Sequence, residues 1–470
     1  MMNTRVVLTV LLCLGATLAS PASADQPSLT KLRQELLRNP YKIEHHEHFI
    51  RRLAQEGQYD EAIEYINKAL TLFNQPTSLL HLAAFIHIQQ KQVEKATSIY
   101  LELYKRTPSN HIIPYNLGWC LSILHHHDLA VKYYQKALEL DPDYSYAHLG
   151  ISKAYLAVGD YTHAWPHFEY RMANFDKYKA HTDVSQMTIE DFIGKRVLIR
   201  AEWGLGDMMQ YVRFVKELKK SGAAHITVQT FDALIPLFSR CEYIDHVVAK
   251  DHPVPAFDIQ IPMMSLTYLF GTTLDTIPTE FPYLHADQAL VESWRPFFEK
   301  DTTIKVGLCW GAKKIFLEDH PYTRRSIPLE LFAPLAEVPN VTFYSLQKVF
   351  DTDQLAHLPD YFKVHDFGPD FDETNGRFMD TAAVMHHLDL IISVDTSVIH
   401  LAGNLNKKPL WVLLPYSAAW WWLYDRSDTP WYHNMRFYRQ PEPLNWHAVF
   451  ETVKKELHTF VQQKQQDKHS

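Results

Sequence analysis

The first part of the chain repeats one arrangement of small and aromatic positions. Alanines recur at intervals of 34 residues, at Ala62, Ala96, Ala130 and Ala164. Aromatic residues follow the last three alanines after four positions, at Tyr100, Tyr134 and Phe168. This pattern predicts pairs of antiparallel helices that approach closely at the small residues. Because one pair cannot bury its apolar face alone, the pairs are expected to stack into a solenoid with a concave surface.

The period and these residues resemble the tetratricopeptide repeat, whose unit has about 34 residues. The resemblance covers residues 44 to 177, about four units, and residues 25 to 43 are expected to form a leading helix. It implies an α-helical solenoid that recruits a protein partner or a glycan acceptor through its groove. The first helix of each unit is expected to line the groove, with His81, Phe85, Tyr115 and Asn116 among the lining residues.

From Gly194 onward, short apolar runs alternate with amphipathic segments. The predicted strands are Arg196 to Ala201, His225 to Thr230, Lys305 to Trp310, Thr342 to Leu346, Leu388 to Val394 and Leu410 to Leu414. A helix is predicted over Asp207 to Lys220. Strands that alternate with helices predict parallel sheets joined by crossovers. The length predicts two α/β lobes, residues 194 to 298 and 303 to 460, followed by a polar tail over 461 to 470.

The N-terminus has the pattern of a secretory signal peptide. Arg5 precedes an apolar run from Val6 to Ala19, and Ala22-Ser23-Ala24 fits a cleavage site. Residues 1 to 24 are therefore predicted to be a signal peptide, and the protein is predicted to be periplasmic or secreted. The alternative is a misread or uncleaved segment, which would leave the protein cytoplasmic or membrane-anchored. No later apolar run reaches the length of a transmembrane span.

Composition and charge argue against nucleic-acid binding, a disulfide framework and a metal site. The formal net charge is −8, so no basic field favours nucleic acid as a partner. Beyond the signal, Cys120, Cys241 and Cys309 are far apart in sequence and odd in number, and they show neither a disulfide framework nor metal-ligand spacing. The 27 histidines include runs such as residues 125 to 127. Neighbouring helical residues point in different directions, so these runs are interpreted as solvated faces and no metal site is predicted.

The first candidate loop runs from Glu202 to Asp207, between a predicted strand and its helix. Gly204 and Gly206 permit a tight turn and close approach of the backbone. The Asp207 carboxylate either caps the helix or faces the cleft between the lobes and accepts a proton. A dinucleotide-binding loop is a rival interpretation, but its third glycine would have to replace Met209.

The second candidate loop follows the most hydrophobic predicted strand and contains Asp395, Thr396, Ser397 and His400. It presents two hydroxyl groups and free backbone N–H groups at the start of a helix. Such a position favours phosphate, because unpaired donors and the helix dipole both attract negative charge. The alternative is simple capping by Asp395 or Ser397, with His400 satisfied in the core.

Four polar residues and one run of aromatic residues are further candidates for the same site. The polar residues are Arg324, Arg325, Gln347 and Lys348, and the last two follow the strand Thr342 to Leu346 at its carboxyl end. Each of them is either a ligand for an anion or an ordinary polar surface residue. The run of tryptophans at 420 to 422 would stack on a base or sugar, or more simply pack between the lobe and the tail.

Residues 194 to about 455 resemble glycosyltransferase family 9, which includes the bacterial heptosyltransferases. The matching segments are Gly204 to Asp207, Gly271 to Leu274, Arg325 to Leu329, Ser345 to Lys348, Ser393 to Ser397, His400 to Gly403, Trp431-Tyr432 and Arg436 to Gln440. The resemblance implies a GT-B fold, with two Rossmann-like lobes facing a cleft. It also implies an inverting, metal-independent transfer of a sugar from a nucleotide-diphosphate donor to an acceptor hydroxyl, with no further cofactor.

The resemblance assigns roles to individual residues. Asp207 would be the general base, and Gly204 and Gly206 would belong to the nucleotide-sugar binding site. Asp395, Thr396, Ser397, His400 and Gln347 would hold the donor diphosphate and nucleotide. Arg325 or Lys348 would offset charge on the leaving diphosphate.

Two features depart from this family pattern. Residues 311 to 323 are less family-like than their flanks, which leaves the identity of the donor open. Nucleotide sugars are cytosolic, so an exported member would be separated from its donor. The second interpretation is therefore a non-catalytic tetratricopeptide scaffold or binding protein with a vestigial glycosyltransferase domain.

Overall fold

The computed structural model describes residues 27–174, 184–313 and 322–469. The predicted signal peptide, residues 1 to 24, lies outside the described residues. The chain divides into two compact units, Met1–Lys179 and Ala180–Ser470. Each unit has its own core and is described by itself.

The first unit is an array of antiparallel helices. Its helices are Leu29–Arg38, Ile43–Gln55, Tyr59–Leu72, Thr77–Gln89, Val93–Arg106, Ile112–Ile123, His127–Leu140, Ser145–Ala157 and Tyr161–Phe168. The four alanines that recur in the sequence are each 0% exposed. Among the described residues, the helix Leu29–Arg38 therefore precedes four helix pairs, and the repeat predicted from the alanine spacing is confirmed.

Close packing between the helix pairs depends on glycine. An added Cβ at Gly150 would lie 2.5 Å from Cζ of Tyr134, and one at Gly118 would lie 2.8 Å from the same ring. The Tyr134 ring therefore fills the space that the two glycines leave between neighbouring helices.

Three of the four residues expected to line the groove are buried, whereas a groove-lining side chain has to be accessible to a partner. Phe85 and Tyr115 are each 6% exposed, and Asn116 is 0% exposed. Asn116 Nδ2 donates to the hydroxyl of Tyr100 over 3.4 Å, inside the packing between helices. The assignment of Asn116 to the groove was therefore wrong, because its amide pairs with a core tyrosine. His81 remains half-buried, and burial is the main cause that lowers its pKa.

The second unit begins with a four-stranded parallel sheet. Its strands are β1 (Arg196–Arg200), β2 (His225–Thr230), β3 (His246–Ala249) and β4 (Ile259–Pro262), in the order β3-β2-β1-β4. Its helices are Leu205–Tyr211, Arg213–Lys220, Ile235–Phe238, Leu266–Leu269 and Gln288–Phe298. The predicted helix thus starts two residues before Asp207 and is divided at Val212.

A six-stranded parallel sheet follows. Its strands are β5 (Ile304–Cys309), β6 (Val341–Ser345), β7 (Val364–His365), β8 (Leu390–Val394), β9 (Leu410–Leu414) and β10 (Met435–Arg439). Their order is β10-β9-β8-β5-β6-β7. When the strands are numbered from β5, this is the strand order of a doubly wound parallel sheet. The expectation of a helical solenoid followed by parallel α/β sheets is confirmed.

Helices and an apolar core cover the second sheet. The helices are Met379–Met385, Ser397–Leu405 and Trp446–His469. The core includes Trp310, Phe332, Leu413 and Phe450. Residues 461 to 469, expected to be a polar tail, form the end of the last helix. Within the described parts of the chain, no helix has the length and apolar character needed to cross a bilayer.

Candidate functional site

The candidate site is at the carboxyl edge of the second sheet. Strands β5 and β8 are neighbours in this sheet, with β6 on the other side of β5. The chain order reverses between β5 and β8, and open parallel sheets bind ligands outside the carboxyl ends of strands at such a point. The loop after β8 contains Asp395, Thr396 and Ser397, and the loop after β6 contains Gln347 and Lys348.

The loop after β8 is fixed by its own hydrogen bonds. Thr396 is the N-cap of the helix Ser397–Leu405, and its Oγ1 accepts from the Val398 N–H over 3.2 Å. Asp395 does not cap the helix: its Oδ2 accepts from the indole N–H of Trp422 over 2.8 Å, and the residue is 2% exposed. Thr396 and Ser397 are half-buried. The turn therefore presents its hydroxyl-bearing residues, while the carboxylate points into the protein.

Arg325 is a basic residue that reaches this turn. Its Nη1 donates to the backbone carbonyl of Asp395 over 3.2 Å, and the side chain is half-buried. The neighbouring Arg324 is exposed. Of the two adjacent arginines, Arg325 is thus the one whose charge lies against the candidate phosphate-binding turn.

Lys348 is engaged elsewhere. Its Nζ donates to the carbonyl of Phe371 over 2.6 Å and lies 3.4 Å from a carboxylate oxygen of Glu373. The ammonium group therefore holds the segment before the helix Met379–Met385. From the sequence, Arg325 and Lys348 were equal candidates for the residue that offsets the charge of a leaving diphosphate. These contacts favour Arg325.

Gln347 braces the end of β5. Its Oε1 accepts from the backbone N–H groups of Trp310 and Gly311 over 2.9 and 2.7 Å, and its Nε2 donates to the Gly311 carbonyl over 3.1 Å. The side chain is 6% exposed. Since its amide oxygen is already shared by two backbone donors, Gln347 shapes the turn after β5 and does not present an open ligand group.

In the first candidate loop, Asp207 acts as a helix cap. Its Oδ2 accepts from the Gly204 N–H over 2.9 Å at the start of the helix Leu205–Tyr211. The capping alternative considered from the sequence is therefore observed. A carboxylate has two oxygens and about four lone-pair sites, so this bond leaves acceptor capacity.

The two candidate loops meet at Gly206 and His400. An added Cβ at Gly206 would lie 2.7 Å from Cδ2 of His400 and 3.4 Å from Cα of Ser397. A side chain at position 206 would overlap the histidine ring, which explains the need for glycine there. The loop after β1 and the helix after β8 thus form one site within the second unit, although 193 residues separate Asp207 from His400.

His400 is a buried, neutral histidine. It is 3% exposed, its Nδ1 lies 3.0 Å from the hydroxyl of Tyr432, and its ring stacks on Trp422 with 5.5 Å between centroids. Burial, together with the positive charges of Arg213 and Arg325, lowers the pKa of His400 to about 3. At neutral pH the ring carries no charge and offers one N–H donor.

Arg213 is central to this region, although its sequence context did not point to a functional role. The guanidinium group is 1% exposed and donates to the carbonyls of Pro278 and Trp431 over 3.1 and 2.9 Å, and to the hydroxyl of Tyr283 over 2.8 Å. Its carbon lies 4.7 Å from the ring centroid of Tyr432. From the sequence alone, an arginine at the start of an amphipathic helix is expected to be a surface residue, because the aromatic residues that bury it are distant in the chain.

Two family models described as tetratricopeptide repeat match the first unit, over residues 53–76 and 115–144. The chain carries tetratricopeptide repeats. Such repeats indicate protein partners for this chain.

Protein FlbA of Caulobacter vibrioides is 25% identical over 328 residues, which are 65% of this chain and 54% of FlbA. The chain thus spans about half the length of this curated relative. Among solved structures, MamA from Desulfovibrio magneticus RS-1 is 19% identical and covers 38% of this chain and 95% of that chain, with a TM-score of 0.30. MamA from AMB-1 is 20% identical and covers 30% and 83%, with a TM-score of 0.28.

The described residues contain no group of three or more His, Cys, Asp and Glu side chains arranged to hold a metal ion. Cys120, Cys241 and Cys309 are buried free thiols. Cys309 lies at the end of β5, where burial raises the pKa of its thiol to about 11. At neutral pH this thiol is protonated, so it is a poor nucleophile.

Proposed function

We propose that the second unit is a glycosyltransferase domain of the GT-B kind, similar to family 9, that transfers a sugar from a nucleotide-diphosphate donor to an acceptor hydroxyl. The observation that carries this proposal is the meeting of two loops, each after a strand of a different parallel sheet, at Gly206 and His400. In a two-lobed transferase, one loop serves the acceptor and the other serves the donor.

The donor side of the proposal rests on the chemistry around β8. Thr396 and Ser397 are half-buried at the N-terminus of a helix of nine residues, and Arg325 lies against the same turn. Hydroxyl groups, a helix N-terminus and a guanidinium group together suit a diphosphate. The family resemblance of the segment Ser393 to Gly403 supports the same ligand.

The acceptor side rests on Asp207. In the proposed reaction, the Asp207 carboxylate takes the proton of the acceptor hydroxyl, and the acceptor oxygen forms a bond to the anomeric carbon. The bond between that carbon and the diphosphate breaks with inversion, and the nucleoside diphosphate leaves. Arg325 offsets the charge that develops on the leaving group. This chemistry needs no metal ion and no further cofactor.

We infer that the tetratricopeptide array recruits the acceptor or a partner protein. The array has its own helical core, and the residues proposed for the chemistry all lie in the second unit. Stacked helix pairs form extended surfaces for protein partners. The repeats would thus set which acceptor is used, while the two sheets perform the transfer.

The test of the donor site is a thermal-shift screen of the full-length chain against nucleoside diphosphates and their sugars with different bases. A ligand at about 100 times its Kd adds roughly 2.7 kcal/mol to the stability of the domain that binds it. We expect one base to raise the Tm of the second unit. If no nucleotide raises the Tm of protein that circular dichroism shows to be folded, the proposal fails.

A non-catalytic binding protein is the second candidate, and one observation favours it. Asp207 is already used as a helix cap, since its Oδ2 accepts from the Gly204 N–H. A vestigial domain would retain that cap after losing the transfer. Nucleotide binding without transfer to any acceptor, in wild-type protein and in Asp207→Asn alike, is the result that would favour this second candidate.

A further inference from the structure

Arg213 has an unusual environment for a buried cation. Within the described residues it pairs with no carboxylate; its donors reach oxygen atoms of Gln210, Pro278, Trp431 and Tyr283. Four aromatic rings surround the guanidinium group, those of Phe281, Tyr283, Trp431 and Tyr432, at 4.7 to 5.4 Å. The charge is therefore compensated by dipoles and ring faces, and its field reaches the polar groups beyond them.

The contacts beyond Arg213 can form a chain of hydrogen bonds that runs toward His400. A guanidinium group can only donate, so the oxygen of Tyr283 accepts from Nη2 at 2.8 Å. The Tyr283 hydroxyl proton is then available to the oxygen of Tyr432, which lies 3.4 Å away. The Tyr432 proton is in turn available to Nδ1 of His400, which lies 3.0 Å away. In this arrangement each hydroxyl accepts from the Arg213 side and donates toward the histidine.

This direction selects one form of His400. A neutral imidazole has one donor and one acceptor nitrogen, and the nitrogen that accepts cannot carry the proton. When Nδ1 accepts from Tyr432, the proton of His400 resides on Nε2. That nitrogen is on the side of Gly206, where an added Cβ would approach it to 3.2 Å. The N–H donor thus faces the place where the two candidate loops meet.

We propose that Arg213, acting through the hydroxyls of Tyr283 and Tyr432, is a positioning residue that holds His400 in its Nε2–H form with the donor directed at the junction of the two loops. The proposed function is needed only for the use of this N–H group, which would donate a hydrogen bond to the diphosphate of the ligand. The position of the proton on Nε2 does not depend on the proposed function. Arg213 belongs to the helix Arg213–Lys220, which follows β1, and His400 belongs to the helix after β8. The hydrogen bonds from Arg213 through Tyr283 and Tyr432 to His400, called the relay below, therefore also link the two sheets.

The first experiment is nitrogen-15 NMR of histidine side chains in the labelled full-length protein, with His400 assigned by comparison with His400→Gln. We expect a protonated Nε2 and an unprotonated, hydrogen-bonded Nδ1. Tyr432→Phe should shift the Nδ1 signal because it removes the hydroxyl. Tyr438→Phe is the matched control: Tyr438 is a buried tyrosine of β10 whose hydroxyl has no hydrogen-bond partner among the described residues, and its removal should leave the signals unchanged. A proton on Nδ1 in the wild-type protein would overturn the proposal.

The second experiment separates positioning from packing. Arg213→Gln removes the charge, so His400 should titrate at a higher pH than in the wild type, although burial and Arg325 still act on it. If this variant does not fold, Tyr283→Phe interrupts the relay with a smaller change, and it should move the Nδ1 signal in the same direction as Tyr432→Phe. An unchanged Nδ1 signal in both tyrosine variants would overturn the relay.

Nucleotide affinity supplies the last readout. For a nucleotide that binds the wild-type protein, Tyr432→Phe should weaken binding by about tenfold, the size expected for one hydrogen bond to a charged group, while Tyr438→Phe should not. Equal affinities for Tyr432→Phe and wild type would overturn the positioning role. If no nucleotide binds the wild-type protein, the proposed function fails, and the NMR result still decides whether Arg213 sets the form of His400.

Discussion

Gly206 and His400 approach each other so closely that the site has no room for a side chain at position 206. An added Cβ would lie 2.7 Å from the ring carbon Cδ2. The ring cannot easily move away, because it stacks on Trp422 and its Nδ1 lies 3.0 Å from the hydroxyl of Tyr432. This contact joins the loop after β1 to the helix after β8.

We predict that Gly206→Ala destabilises the second unit by roughly 1–3 kcal/mol, as expected for an overpacked contact. In a His400→Ala background, the same substitution should have a much smaller effect because the ring is gone. The measurement is a double-mutant cycle by urea unfolding, with a coupling free energy above about 0.5 kcal/mol expected. Simple additivity of the two substitutions would show that the loops do not meet as described.

We predict that Gln347→Leu destabilises the turn after β5. It leaves the buried N–H groups of Trp310 and Gly311 without their acceptor, and each unpaired donor costs about 1–3 kcal/mol. Gln354→Leu is the matched control, since Gln354 accepts from only one backbone N–H in the described contacts, that of Leu329 over 2.7 Å. Hydrogen exchange should show faster exchange at Gly311 in Gln347→Leu alone. Equal losses of stability in the two variants would contradict this account.

The solenoid and six of the ten described strands could be predicted from the sequence because their signals are local. Ala62 and Ala164 are 0% exposed, as their spacing indicated, and β2 and β9 begin and end at the predicted residues. Strands β4 and β7 gave no comparable signal. Strand β4 mixes Gln260 and Pro262 with isoleucine, and β7 has only two residues.

The arrangement of the site could be predicted only in part. The loop containing Asp395 was found because its signal, a strand followed by a polar turn and a helix, is contiguous. The role of Arg213 depends on Pro278 and Trp431, which are 65 and 218 residues away in the chain. The choice between Arg325 and Lys348 likewise depended on which segments fold against each side chain.

Asp207→Asn should separate catalysis from capping. The asparagine side chain keeps an oxygen that can accept from the Gly204 N–H, so folding and nucleotide affinity should be preserved. The transfer rate should fall by about 10²–10⁴-fold, the usual contribution of a general base. Asp287→Asn is the control, because Asp287 caps the helix Gln288–Phe298 through a 2.8 Å bond from Ala289 N and has no proposed role in transfer. Wild-type turnover in Asp207→Asn would mean that Asp207 is only a cap.

The stability of the second unit should decrease as the pH falls below about 6.5, in part because of His400. Its pKa in the folded protein is about 3, below the ordinary value of 6.5, so the unfolded chain binds the proton first. At pH 5, one such histidine removes on the order of 2 kcal/mol from the free energy of unfolding. His400→Gln should therefore flatten the dependence of stability on pH. Identical pH slopes in His400→Gln and wild type would contradict a buried, neutral His400.

Isothermal titration calorimetry of the full-length chain with a nucleoside diphosphate and its sugar tests the central claim most directly. Wild type and Arg324→Ala should bind with similar Kd, because Arg324 is exposed, whereas Arg325→Ala should bind about tenfold or more weakly, since Arg325 lies against the turn of Asp395. Binding that shows this difference supports a diphosphate at the carboxyl end of β8. Failure of every nucleotide to bind the folded wild-type protein, or equal binding by Arg325→Ala, would contradict it.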